Sequence, residues 1–187
     1  MAKDTATQLL DTAQDLVQER GYNAFSYKDL AEAVGIRTAS IHYHFPSKSD
    51  LALALMERYH AGLEGALGEL ERRGKTEKSR LRSFIQLYQE TEARGAICLC
   101  GSLASDLETL DEPVQDAVKA YLDTSEKWVA RRITNGVREG EFDFGGKASE
   151  AAATLLAGLQ GGLLVSRARG KSVLDHVQRT FFLGIGA

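Results

Sequence analysis

Only Pro46 and Pro113 interrupt the 187 residues, and no segment sustains the period-two alternation of a half-buried strand. A chain with so few helix breakers has room for long helices, so the expected fold is all-α, with about nine helices and no sheet. The hydrophobic share of 43% and charged share of 26% are ordinary for a globular protein and argue against disorder. The length suffices for a sizeable core, in one extended domain or a small domain joined to a larger one.

Apolar spacing and capping residues divide the chain into elements. Leu9, Leu10, Ala13, Leu16 and Val17 mark one face of a helix over about 5–20, stopped by Gly21. Ser26 with Asp29 resembles a capping box and opens a short helix through Leu30, Ala31 and Val34, broken at Gly35. Thr38 is expected to cap a third short helix carrying Ile41 and Phe45, limited by Pro46. Ser47 with Asp50 opens a longer helix to about Arg72. After a polar connector, Leu81, Phe84, Ile85 and Tyr88 mark a fifth helix. The chain is expected to bend around Gly95 and Gly101, with a short helix carrying Leu103 and Leu107. Asp111, Glu112 and Pro113 form a helix start, the acids facing the positive end of the dipole, and apolar residues continue to about Arg138. Two more helices, at about 147–169 and 171–183, flank Gly170.

The net charge is −3, so any surface for nucleic acid must be local. Residues 1–50 hold five Lys or Arg against seven Asp or Glu. Between Glu32 and Asp50, however, no acid occurs, while Arg37, His42, His44 and Lys48 stand there among Thr38, Ser40, Tyr43 and Ser47. Scattered charges of this kind usually make a solvated helix face. The alternative is a DNA-reading surface, since a helix fits the major groove and hydroxyl and basic groups at its ends fix phosphates.

The string Leu30-Ala31-Glu32-Ala33-Val34-Gly35-Ile36, followed by Ser40-Ile41-His42-Tyr43-His44-Phe45-Pro46-Ser47-Lys48, resembles the signature of TetR-type transcriptional regulators, over roughly Leu9 to Leu55. The resemblance implies an N-terminal three-helix helix-turn-helix domain, 1–48, followed by a helical ligand-sensing and dimerisation domain, 49–187. It implies a repressor that binds a near-palindromic double-stranded operator as a homodimer and is released by a small-molecule or electrophile effector. By the same resemblance Ser26 and Tyr27 meet phosphate, Arg37, Thr38, Ala39 and Ser40 open the recognition helix, Tyr43 reaches bases or the sugar-phosphate edge, and Lys48 holds phosphate. His42 departs from the family, which often has tyrosine there; it can still donate to phosphate, with a dependence on pH. His44 reads equally as a DNA ligand or as a packed or capping residue. Two histidines at i and i+2 of a helix do not face one metal, so no metal site is expected, and no cofactor.

Behind this segment, Leu155, Leu159, Leu163, Val177 and Phe181 lie on small-residue and apolar faces that pack within one chain or, by the resemblance, build a two-fold four-helix interface. Phe84, Tyr88, Leu103, Leu107, Tyr121 and Trp128 read either as core or as the lining of an apolar effector pocket. Cys98 and Cys100 are too few for a disulfide framework. They read as small buried hydrophobes or as an oxidant or electrophile sensor, placed just before a helix expected near Gly101 and close in sequence to Arg94. The stretch from Gly95 to Ala104 resembles the one that carries reactive cysteine in some electrophile-responsive TetR-type repressors.

The start of the chain lacks the pattern of a signal peptide, and the apolar stretch 151–165 falls short of the roughly 20 residues that span a bilayer, so a cytoplasmic protein without membrane contact is expected. The rival classes are a helical adaptor that binds only protein and a helical enzyme outside the family. Against the enzyme, no catalytic or phosphate-loop motif occurs, and His42, His44, His60 and His176 are not grouped with acids or thiols at ligand spacing.

Overall fold

A computed structural model describes residues 4–187. The described residues form nine α-helices and no strand: α1 Thr5–Arg20, α2 Tyr27–Val34, α3 Thr38–His44, α4 Lys48–Arg73, α5 Glu77–Ala93, α6 Leu99–Ser105, α7 Glu112–Arg138, α8 Ala148–Arg169 and α9 Leu174–Gly184. Short 3₁₀ turns occupy Tyr22–Ala24 and Leu107–Thr109.

The expected signals act at most helix ends. Gly21 takes φ 94° after α1 and Gly35 the left-handed conformation, φ 77°, after α2, both donating their amides back to the preceding turn. Ser26 and Asp29 close a reciprocal capping box. Ser47 and Asp50 exchange the same pair of bonds at the start of α4 (2.9 and 3.1 Å).

Three local expectations are corrected. Thr38 is the first residue of α3 rather than its cap; Arg37 holds the cap position in extended conformation, and no side chain caps the turn. Gly101 lies inside α6, which already begins at Leu99, so only Gly95 (φ 70°) marks a bend there. The last helix begins at Leu174 rather than near Lys171, because Ser166 Oγ accepts the Val173 amide (3.0 Å) and holds 171–173 as a turn.

The chain divides into two compact units that are discontinuous in sequence. The first runs to Ala61 and includes Leu99–Tyr121; the second comprises Gly62–Cys98 and Leu122–Ala187. Helices α4 and α7 therefore each contribute to both. In the first unit α1 packs against α2 and α6, and α2 against α3. Its core gathers Leu9, Val17, Leu30, Ile41, Leu51, Leu55 and Met56 with Leu103, Val114 and Val118. Ser102 Oγ donates to the Val17 carbonyl (3.0 Å), tying α6 to the end of α1.

In the second unit α5, α8 and α9 pack against one another. Phe84 stacks on Trp128, with centroids 5.5 Å apart, and the Trp128 indole donates to Glu71 (3.0 Å). Gly136 admits the Phe142 ring, whose nearest atom would lie 2.2 Å from an added Cβ. Buried Glu77 pairs with Arg80 (2.8 Å) and Arg132 (3.4 Å), and the Glu141 carboxylate accepts the first amides of α5 at Glu77 and Lys78 (both 3.0 Å). Helix α8, at 22 residues, is long and apolar enough to cross a membrane by length and composition, beyond the shorter stretch expected. It packs one face on α5 and α9.

Candidate nucleic-acid interface

Helix α3 is fixed by two apolar anchors and offers its other side. Ile41 is fully buried and Phe45 nearly so, while Arg37, Ala39, Ser40, His42 and Tyr43 are exposed, Tyr43 to 84%. An exposed tyrosine surrounded by hydroxyl, imidazole and guanidinium groups, with no carboxylate between Glu32 and Asp50, suits a polyanion with base edges. Ser26 is exposed at the start of α2; Thr38 and His44 are half-buried. Tyr43 meets His44 edge-on at 5.1 Å.

Tyr27 and Lys48 carry a different load. The Tyr27 hydroxyl reaches the carbonyls of Phe45 and Ser47 (2.9 and 2.5 Å), bracing the turn between α3 and α4. Burial pushes its pKa up to about 12, with a smaller push from Asp50. The Lys48 ammonium donates to the carbonyls of Tyr22 and Phe25 (both 2.6 Å) and lies over both rings at 4.4 Å. Burial lowers the Lys48 pKa, while Asp106 and Asp29 act to raise it. Both residues thus already have partners in the first unit, and the phosphate roles expected of them compete with those bonds. His42 lies with Nδ1 3.0 Å from the Pro46 carbonyl and its ring edge-on to Tyr27 at 4.9 Å. A carbonyl only accepts, so Nδ1 carries the proton and Nε2 is left for an outside partner.

The other expected sites distribute as follows. Phe84, Tyr88 and Trp128 are buried in the second unit, Leu103 and Tyr121 in the first, and Leu107 is half-buried. The Tyr121 ring stacks on Tyr59 at 5.0 Å. Cys98 and Cys100 are both buried, and the Cys100 thiol approaches the Val118 carbonyl at 3.7 Å. Leu155, Leu159 and Leu163 of α8, expected at a dimer interface, are at most 2% exposed and form the face that α8 turns to its own chain. Val177 and Phe181 are half-buried and line, with Thr154 and Gly158, an open apolar cleft of about 620 Å³ between α8 and α9. The face of α8 opposite the buried leucines carries Ala153, Thr154, Ala157, Leu164, Val165 and Ala168, all exposed, with no charge between Glu150 and Arg167. The sequence marked α8 as small and apolar, but it could not say which of two apolar faces the chain itself would cover.

A capped three-helix motif that holds out a polar, acid-free third helix, joined to a larger helical body, defines a helix-turn-helix DNA-binding regulator. The model for bacterial regulatory proteins of the tetR family matches residues 9–55, and that for the tetracyclin repressor-like C-terminal domain matches residues 78–181. The chain belongs to the TetR family of transcriptional regulators. A solved TetR-family regulator from Agrobacterium tumefaciens is 34% identical, with a TM-score of 0.92 and coverage of 97% of both chains. The HTH-type transcriptional regulator TtgR of Pseudomonas putida is 25% identical over 166 residues, 86% of this chain and 79% of TtgR. The HTH-type transcriptional repressor NemR of Escherichia coli is 25% identical over 160 residues, 82% of this chain and 79% of NemR.

Proposed function

We infer that this regulator is a cytoplasmic repressor that binds a near-palindromic operator as a homodimer, with α3 of each protomer in the major groove. The observation that carries the reading is the exposed, acid-free surface of α3, with Arg37, Ser40, His42 and Tyr43 outward and Ile41 anchoring it. Arg37 and Ser40 at the start of α3, with Ser26, fix phosphates, and Tyr43 reads the groove. Two-fold binding is supported by the second apolar face of α8, since a helix apolar on both sides needs a partner on each. Repression is supported by likeness to NemR. A small-molecule effector completes the reading, with the aromatic residues around Trp128 in the second unit as candidates for its contacts. Burial of both thiols favours packing over electrophile sensing for Cys98 and Cys100.

The test is enrichment of genomic DNA by the purified protein. The expected product is a short sequence with two inverted half-sites about one helical turn apart. Tyr43→Ala should lose the enrichment while still retaining random DNA at low salt. Recovery of no discrete sequence, or of one without inverted symmetry, overturns the two-fold operator reading.

A further inference from the structure

The turn at residues 22–25, just before α2, is gripped from two sides by groups distant in sequence. On one side the Asn23 side-chain amide donates to Thr109 Oγ1 (3.1 Å), and the Asn23 backbone amide points at Asp106 Oδ2 (3.4 Å). The Thr109 hydroxyl in turn donates to the Asp106 carbonyl (2.7 Å), so the 3₁₀ turn after α6 presents one pre-set acceptor to Asn23. On the other side Lys48 holds the carbonyls of Tyr22 and Phe25, which bracket Asn23. Lys48 stands at the start of α4, directly after the Phe45–Ser47 turn that ends α3. All these groups belong to the first unit, and α6 follows in the chain from the Gly95–Cys98 segment of the second.

We propose that Asn23, held by Thr109 and acting through the 22–25 turn and Lys48, is a positioning residue for the recognition helix: it sets the orientation of α3 and with it operator discrimination. This rests on the DNA-reading role of α3 given above. The bonds at Asn23 are few and exposed. Their loss removes alignment of α3 while leaving the buried core of Leu30, Ile41 and Leu55 intact. It therefore lowers operator affinity more than stability.

The test compares Thr109→Val, which keeps shape and deletes the hydroxyl, with Thr109→Ser, which keeps it. Binding is measured to the duplex that the wild-type protein enriches and to a random duplex of equal length, alongside the melting temperature and amide exchange of α3. Thr109→Val and Asn23→Ala should each cut the operator-to-random ratio about three- to tenfold, the range one net hydrogen bond spans. They should speed exchange at residues 41–45 and leave the melting temperature in place, while Thr109→Ser behaves as wild type. In a Lys48→Met background the effect of Thr109→Val should shrink, because the same path is already cut. An unchanged ratio and α3 exchange, a fall in ratio matched by a fall in melting temperature, or additive effects with Lys48→Met would each overturn the proposal. Failure of the wild type to enrich any duplex would count against the operator reading, whereas α3 exchange judges Asn23 without DNA.

Discussion

Tyr27 shows how much rests on single side chains in a motif of this size. Its hydroxyl bonds the carbonyls that end α3 and start α4, and its pKa of about 12 lies above the ordinary tyrosine value of 10.0 because burial disfavours the phenolate. A group whose pKa is raised on folding contributes stability that is fully present below its unfolded value and is lost as the pH rises toward the folded one. Wild type should therefore exceed Tyr27→Phe by about 1 kcal/mol near neutrality, the worth of a net hydrogen bond, and that margin should shrink between pH 10 and 12. Denaturant titrations of both proteins across that range check it; a margin constant to pH 12 would show that the hydroxyl is not braced. Cys98 and Cys100 give a second prediction at this scale. Being buried, they should react with iodoacetamide far more slowly in the folded protein than in denaturant, and reaction at equal rates would restore the case for an open sensor. The exposed residues of α3 were legible one by one, since Arg37 to Tyr43 stand within seven positions. The partners of Lys48 and Asn23 were not: Asn23 and Thr109 stand 86 residues apart, and nothing in their types singles them out.

Among the elements, the glycines of the long helices separate two physical roles. Gly65 in α4 has nothing within 4 Å of an added Cβ, whereas at Gly136 in α7 that atom would meet the buried Phe142 ring at 2.2 Å. Gly65→Ala should raise stability by up to about 1 kcal/mol through helix propensity. Gly136→Ala should lower it by about 1 kcal/mol or more, because overpacking exceeds the same gain. Paired thermal melts decide, and stabilisation by both would mean that Phe142 swings away freely. Helix α8 makes a comparable contrast between its faces. Leu164→Arg, on the exposed face, should leave the melt cooperative but shift the protein from dimer to monomer by light scattering, with weaker operator binding. Leu159→Arg, fully buried, should unfold the second unit. A wild type that is monomeric at micromolar concentration would remove the basis for both the interface and the palindrome. Helix number and the caps at Ser26 and Ser47 were readable because they are local chemistry, whereas the expected cap at Thr38 was not the one formed. The choice between the faces of α8 was not readable, because Leu164 and Val165 continue the same apolar run as the buried leucines and only packing separates them.

The whole molecule is divided in space along lines that cut across its sequence. Leu103, Val114 and Val118, which complete the core beneath α1 and α4, come from a stretch that begins 38 residues after Ala61. A fragment ending at Ala61 contains the entire helix-turn-helix yet lacks that stretch. Circular dichroism should find it without a cooperative melt, while a fragment that melts as the intact unit does would show the stretch to be dispensable. The same division bears on recombination among relatives. A crossover placed in α4 would join α1 of one parent to α6 of another, setting a foreign side chain against the Val17 carbonyl and a foreign 3₁₀ turn against Asn23. On the role proposed for Asn23, an exchange meant to transfer DNA specificity moves residues 99–121 together with the N-terminal helices.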